Sequence, residues 1–214
     1  MMLTGLILAG GPDARLRGQT SALLPFGDSP LIVRQVWEMK KICQEVIVAT
    51  PDPTRFLKVL DSNTRIITDY YSGMGPMGGM FAGFSLARYK EVWAIGSEMP
   101  FVSAKAALLL RGCKLKGFEA ALPLIGGGVY PLHGIYDKSC AQHVQKLLEQ
   151  GERSASSLLR SIVWKDMPDA SFLECGIALD FVNGFHTWEE YESMNKQFNI
   201  IPPKGMINEP HMQE

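Results

Sequence analysis

Residues 5–24 read GLILAGGPDARLRGQTSALL, the most informative stretch of the sequence. Its first five residues form a continuous apolar run that Gly10-Gly11 closes, which is typical of a buried parallel strand that ends in a loop. Glycines permit positive φ and let backbone N–H groups converge on an anion. Arg15 and Arg17 add charge and bidentate phosphate contacts. We therefore predict an anion-binding loop after this strand, although it contains no lysine and matches neither the Walker loop nor GxGxxG.

Strands and helices alternate through the first 110 residues. Short apolar runs predict strands, and amphipathic spacing predicts helices. The predicted strands are 5–9, 45–49, 65–68 and 91–95, and the predicted helices are 31–42, 54–60, 80–89 and 103–111. This alternation indicates βαβ units, and hence a doubly wound α/β fold with a mostly parallel sheet and helices on both faces. Ligands of such sheets bind beyond the carboxyl ends of the strands, where the loops 10–22, 69–79 and 96–102 are expected.

The second half of the chain is less regular. A strand at 119–124, a glycine turn at 126–128 and a partner strand at 129–136 predict a hairpin. Helices are predicted at 138–150, 154–162 and 187–197, and one or two strands within 172–181. Thr187 and Glu190 form a capping box at the start of the last helix. We predict a single domain over 1–200 and a loose C-terminal tail at 201–214.

Composition excludes several functional classes. The 214 residues, 46% of them hydrophobic, are enough for one sizeable core. A formal net charge of -1 gives no basic footprint for nucleic acid, and four cysteines without a CxxC pair indicate neither a zinc site nor a redox motif. The N-terminal apolar run is too short for a signal peptide or a membrane span. We expect a cytoplasmic protein that handles small molecules and binds neither nucleic acid nor membranes.

Three further segments contain candidate site residues. The glycine-rich stretch 73–79 precedes a predicted helix, where it would bind phosphate or merely allow close packing. Glu98 follows the fourth strand and is either a Mg²⁺ ligand or a solvated carboxylate. His133 lies in an apolar strand and is either a hydrogen-bonded core group or a catalytic residue. No serine or cysteine lies in a nucleophile elbow, so a hydrolase triad is not indicated.

The order of these segments resembles the MobA-type molybdenum cofactor guanylyltransferases of the nucleotidyltransferase superfamily, as a divergent member. The resemblance covers about residues 3–195 and rests on LAGG at 8–11, PLI at 30–32, GPMGG at 75–79, EMPFV at 98–102, PLHGIY at 131–136, GER at 151–153, FVN at 181–183 and TWEEY at 187–191. It implies a nucleotide-diphospho-sugar transferase-like fold. It also implies transfer of GMP from GTP to molybdopterin with Mg²⁺ and release of pyrophosphate, and partner proteins among molybdoenzymes or cofactor-biosynthesis proteins.

The resemblance also assigns roles to individual residues. The residues implied to bind the nucleotide are Leu8, Ala9, Gly10, Gly11, Ser21, Asp69, Gly78 and Gly79. Arg15, Arg17 and Glu98 are implied in catalysis, with Glu98 as the metal ligand in place of the aspartate of the family's CDxP motif. Pro131 and His133 would border the acceptor.

Several family positions are changed in this sequence. Thr20 and Ser21 stand where the family has aspartate and lysine, and His186 stands for an asparagine. Losing one charge-stabilising group can cost on the order of 10² to 10³ in rate. Two alternatives stay open: an enzyme in which Arg15 and Arg17 hold the phosphates of GTP or of another nucleotide such as CTP, and a binding or regulatory protein with weakened catalysis. A sugar-phosphate nucleotidyltransferase is disfavoured by the same missing lysine and by the short chain.

Overall fold

The structure, a computed structural model, describes residues 2–69, 71 and 73–200. The predicted tail at 201–214 lies outside the described residues. In chain order, the strands are β1 (Leu3–Leu8), β2 (Pro25–Phe26), β3 (Ser29–Pro30), β4 (Glu45–Thr50), β5 (Thr64–Thr68), β6 (Glu91–Gly96), β7 (Ala120–Ile125), β8 (Gly128–Val129), β9 (Gly134–Asp137) and β10 (Trp164–Pro168). The α-helices are α1 (Leu31–Lys40), α2 (Pro76–Leu86), α3 (Ala104–Lys114), α4 (Ala141–Glu149), α5 (Ala155–Leu158), α6 (Asp169–Glu174) and α7 (Trp188–Ile200).

The main sheet has eight strands in the order β10-β7-β9-β6-β1-β4-β5, with β8 paired to the end of β7. Strand β1 pairs in parallel with β4 and β6, β4 with β5, and β7 with β10. Strand β9 runs antiparallel to both of its neighbours, β6 and β7. Every residue of β1, β4 and β6 is buried, as expected for central strands covered on both faces. The predicted doubly wound, mostly parallel sheet is therefore confirmed.

The core is divided between the two faces of the sheet because successive residues of a strand point to opposite sides. Leu3 and Ile7 of β1 pack on one face in a cluster that includes residues of α1 and α3. Leu6 and Leu8 pack on the other face with residues of α2 and α4. A third, smaller cluster joins Leu16 of the loop after β1 to residues of α7. This last cluster fixes the beginning of α7 beside that loop.

Helix α2 begins earlier than the sequence predicted. Pro76 occupies its first turn, a position that suits proline because its missing N–H needs no intrahelical partner. Gly78 and Gly79 therefore lie inside the helix and not in the loop before it. A Cβ atom added at Gly79 would lie 2.9 Å from Leu8 Cδ2, and one at Gly83 would overlap the Leu6 side chain. These glycines let the helix backbone approach β1 closely.

Several other predictions of secondary structure were wrong. The segment 172–181 contains no strand. Its beginning belongs to α6, which ends before Gly176 at φ +66, and its end belongs to a 3₁₀ turn at Leu179–Val182. Strand β10 was missed because most of this edge strand is partly exposed, so it lacks a continuous apolar run. The predicted strand at 129–136 is divided into β8 and β9, the helix at 54–60 is a 3₁₀ turn at Pro53–Phe56, and the helix at 154–162 is the short α5.

The capping box at the start of α7 is confirmed. The Glu190 N–H donates to Thr187 Oγ1 at 3.2 Å, and the Thr187 N–H donates back to Glu190 Oε2 at 3.2 Å. Within the described part of the chain, every helix is too short or too polar to cross a membrane.

Candidate active site

A cavity of about 430 Å³ opens at the carboxyl ends of β1, β4, β5 and β6. This is the edge at which the sequence predicted a ligand. The predicted site residues that line it are Leu8, Ala9, Gly10, Gly11, Arg15, Ser21, Asp69, Gly79 and Glu98. We call it the first cavity.

Gly10 and Gly11 line the first cavity for a different reason from the one expected. Neither has a positive φ, so the backbone there does not require glycine. A Cβ atom added at Gly10 would meet no heavy atom within 4 Å, and one at Gly11 would meet only Pro51 Cγ at 3.7 Å. The absence of side chains at these two positions keeps the cavity open and exposes backbone to a ligand.

Ser21 and Thr20, the two changed family positions in the loop after β1, both form side-chain hydrogen bonds. The Ser21 and Ser97 hydroxyls form a hydrogen bond of 2.8 Å, and both residues line the first cavity. The buried Thr20 hydroxyl accepts a hydrogen bond of 2.8 Å from the guanidinium of Arg55. Arg55 follows β4, so this contact brings a cation to the loop that lacks the lysine. Neither Arg55 nor Ser97 was predicted from the sequence as a site residue.

The two arginines of this loop have different surroundings. The Arg15 guanidinium pairs with Asp13 at 2.7 Å and lies on the wall of the first cavity. The hydrogen bond from Arg15 holds the pKa of Asp13 below its usual range. Arg17 lines neither this cavity nor the second one described below. Its guanidinium lies 4.3 Å from the centre of the Trp188 ring, and its φ of +55 places the residue in the left-handed region. The structure therefore brings only Arg15 to the site.

Asp69 lines the first cavity and packs directly against Gly78. The Asp69 carboxylate accepts a hydrogen bond of 2.9 Å from the Tyr71 N–H, and its burial raises its pKa. A Cβ atom added at Gly78 would overlap that carboxylate. Gly78 does not line the cavity itself. Because it has no side chain, it leaves room for the Asp69 carboxylate.

Glu98 lies at the boundary with a second cavity of about 400 Å³. This second cavity is also lined by Tyr130, Pro131 and Met194, and it shares Glu98, Leu132 and His186 with the first. Burial raises the pKa of Glu98, and its own backbone N–H and His186 favour the ionised form. Pro131, which the resemblance implies to border the acceptor, lines this second cavity.

His133 does not lie at the acceptor site. Its side chain is completely buried, and Nε2 accepts a hydrogen bond of 3.0 Å from the Ser103 N–H. The ring centroid lies 5.1 Å from that of Trp93 and 4.7 Å from that of Phe181. This burial lowers the pKa of His133 to about 3. The predicted contact with an acceptor is corrected because the ring is a neutral core group.

His186 was noted only as a changed family position, but it lies at the boundary between the two cavities. The residue directly precedes the capping box of α7, and its N–H donates to Glu190 Oε2 at 2.6 Å. The capping-box pattern was the sequence signal that could have indicated a fixed position for His186.

Comparison with known proteins agrees with this geometry. A sequence model of the MobA-like NTP transferase domain matches residues 5–167, which is more than half of the chain. The chain belongs to the MobA-like NTP transferase family. A relative from Pelotomaculum thermopropionicum, named "Probable molybdenum cofactor guanylyltransferase", is 29% identical over 148 residues, which are 69% of this chain and 70% of the relative.

Two crystal structures share the fold. Molybdopterin-guanine dinucleotide biosynthesis protein A from Archaeoglobus fulgidus superposes with a TM-score of 0.78 at 18% identity, over 92% of this chain and 100% of that chain. A Mycobacterium tuberculosis protein solved in complex with manganese superposes with a TM-score of 0.64 at 12% identity, over 92% and 99% of the two chains.

The first cavity contains few side chains that could bind a metal ion. Among the described residues, no group of three or more His, Cys, Asp or Glu side chains could hold a metal alone. Mg²⁺ typically binds one or two carboxylates together with substrate phosphates and water. Glu98 and Asp69 line the first cavity and offer carboxylate oxygens of this kind.

Proposed function

We propose that this protein transfers GMP from GTP to molybdopterin and releases pyrophosphate, with Mg²⁺ as cofactor. The observation that carries the proposal is the pair of adjoining cavities at the carboxyl edge of the sheet, which share Glu98, Leu132 and His186. One cavity is bounded by the LAGG loop and Asp69, and the other by Pro131. Family membership and the name of the Pelotomaculum thermopropionicum relative support the choice of reaction.

The chemistry requires positioning more than covalent catalysis. A terminal phosphate oxygen of the acceptor attacks the α-phosphorus of GTP in line, the new P–O bond forms, and the bond to the β-phosphate oxygen breaks with its electron pair leaving on pyrophosphate. Holding both anions in adjoining cavities makes this step effectively unimolecular. The donors available to the phosphates are backbone N–H groups near Gly10 and Gly11, the Arg15 guanidinium, and whichever hydroxyl of the Ser21–Ser97 pair does not donate to the other.

Charge is the main difficulty at this site. Asp13, Asp69 and Glu98 line the first cavity together with Arg15, and Arg15 is already paired with Asp13. These three carboxylates and the phosphates of the two ligands repel one another unless a cation lies between them. A bound Mg²⁺, held by Glu98 and Asp69, would neutralise part of this charge and polarise the phosphate oxygens. We therefore expect nucleotide binding to depend strongly on magnesium.

A second candidate function is a nucleotide-binding or regulatory protein with weak transferase activity. It is favoured by the positions of Arg17, which stacks on Trp188, and of Ser21, whose hydroxyl is bonded to Ser97. Neither residue restores the full charge of the family's lysine. The two candidates share the ligand and differ in the rate of transfer.

Calorimetric titration with GTP, CTP and ATP, each with and without Mg²⁺, tests the proposal. We expect magnesium-dependent binding of GTP, followed by GMP transfer to molybdopterin in a coupled assay. Glu98→Gln preserves the size of the side chain but removes its charge, so nucleotide binding should lose its dependence on magnesium. Glu174→Gln, at an exposed position of α6, should behave like the wild type. GTP binding without transfer supports the second candidate. Selective binding of CTP would mean that CTP, and not GTP, is the nucleotide substrate. Binding of no nucleotide refutes both candidates.

A further inference from the structure

The three residues shared by the two cavities differ in what they can offer a phosphate. Leu132 is apolar, and an ionised Glu98 only accepts hydrogen bonds. An imidazole carries a ring N–H donor whether it is neutral or protonated. Among these three residues, His186 therefore has the only side chain that can donate a hydrogen bond to an anion at the boundary.

The backbone of His186 is fixed from both sides. Its own N–H donates to Glu190 Oε2 at 2.6 Å, within the capping arrangement of α7. The N–H of the preceding residue, Phe185, donates to the Glu98 carbonyl at 3.1 Å. The Phe185 ring is completely buried and packs 5.3 Å from the centre of Tyr191. These contacts fix the backbone of His186 at the boundary and leave its side chain exposed to a ligand.

The ring lies close to carboxylates of both neighbouring segments. Hydrogen bonding from Arg15 is the main reason that the pKa of Asp13 is low, and the charge of His186 also lowers it. Burial raises the pKa of Glu98, and His186 again acts in the opposite direction. His186 lines the first cavity together with Asp13 and Glu98, so it lies between the loop after β1 and the end of β6.

We propose that the His186 ring N–H donates to the phosphate oxygens at the boundary, where the acceptor phosphate meets the α-phosphate of the nucleotide. This inference rests on the proposed function and adds a donor to it. The two phosphates repel each other as the new P–O bond forms, and a donor between them stabilises that approach more than it stabilises either ligand alone. His186 replaces part of the stabilisation lost with the lysine, from the opposite side of the cavity.

Steady-state kinetics of His186→Ala, His186→Asn and the wild type, with GTP and molybdopterin varied separately, test the inference. Loss of one donor to a transition-state anion lowers rates by about 10²–10³-fold in well-studied cases. For an exposed donor we expect a fall of about 10- to 100-fold in kcat for His186→Ala, with a GTP Kd by calorimetry within about three-fold of the wild type. His186→Asn retains an N–H donor, so its decrease in log kcat should be smaller than that of His186→Ala by at least one third. His143→Ala, on α4 and outside both cavities, is the matched control and should not change kcat.

Each outcome separates the inference from the function on which it rests. Wild-type transfer with an unchanged kcat in His186→Ala overturns the role of His186 and leaves the proposed function intact. An asparagine variant as slow as the alanine variant also overturns it, because packing of the ring and not donation would then matter. No transfer by the wild type removes the proposed function and this inference together.

Discussion

Adding one methyl group at Gly10 should separate the ligand-binding role of the loop from its stability. Gly10 has no positive φ, and a Cβ atom there would meet no heavy atom within 4 Å. Gly→Ala at such a position stabilises a protein by about 0.4–1 kcal/mol because the unfolded chain loses freedom. For a chain of this length, that corresponds to a rise in Tm of about 1–4 °C. Gly10→Ala should therefore fold at least as well as the wild type.

The same methyl group would project into the first cavity, where the nucleotide is proposed to lie against the backbone of Gly10 and Gly11. Inserting a methyl into an occupied contact costs about 1–3 kcal/mol. Because about 1.4 kcal/mol corresponds to a factor of ten in affinity, GTP should bind about 5- to 150-fold more weakly. Stability and affinity are expected to change in opposite directions.

The measurements are thermal unfolding without ligand and calorimetric titration with GTP and Mg²⁺. Gly112→Ala is the matched control: Gly112 lies in α3, outside both cavities, and also has no neighbour within 4 Å of an added Cβ atom. It should gain about 1 kcal/mol from helix propensity and bind GTP like the wild type. A Gly10→Ala protein that binds GTP with wild-type affinity would show that the ligand does not approach this part of the loop.

Three other predictions address the loop, the packing and the core. Arg15→Ala should weaken GTP binding by about ten-fold, a loss of about 1.4 kcal/mol that is typical of one charge-assisted contact. Arg17→Ala should change the GTP Kd by less than about two-fold. Equal effects of the two variants in calorimetry would contradict this assignment. Gly83→Ala should lower the free energy of unfolding by about 1–2 kcal/mol in a urea titration, because overlap with Leu6 outweighs the gain in helix propensity; an unchanged midpoint would contradict it. The native pKa of His133 is about 3 and the unfolded value is about 6.5, so the unfolded chain binds the extra proton and stability falls as the pH drops below about 6.5. This contribution amounts to about 2 kcal/mol between pH 7 and pH 5, and urea titrations of His133→Gln should lack that part of the pH dependence.

Much of the fold follows from local sequence patterns. The apolar runs of β1, β4 and β6 predict buried parallel strands because these strands are covered on both faces. The sequence does not predict β10 and predicts a strand in place of α6, because both elements lie at the periphery, where one apolar face is enough. In such elements tertiary contacts outweigh the weak local pattern.

The candidate site was only partly predictable, for a different physical reason. Residues on one loop, such as Gly10 and Gly11, are adjacent in sequence. They are placed correctly by the rule that ligands bind beyond the carboxyl ends of parallel strands. The positions of Arg17 and His133 depend on contacts with distant residues, Trp188 and Ser103. A pattern within one segment does not contain that information, and the same is true of the contact between Thr20 and Arg55, which lie 35 positions apart.

The changed family positions are better understood in pairs than one at a time. Ser21 at the lysine position bonds to Ser97 at the cysteine position of CDxP, so the loop remains attached to the end of β6 without the long side chain. Glu98, at the aspartate position, and His186, at the asparagine position, both line the boundary between the two cavities. A site that had merely decayed would be expected to leave such groups unmatched, because nothing would select for their partners. The replacements instead leave an open cavity lined by hydroxyl, guanidinium, carboxylate and imidazole groups, and this favours a ligand that is still bound over a vestigial fold.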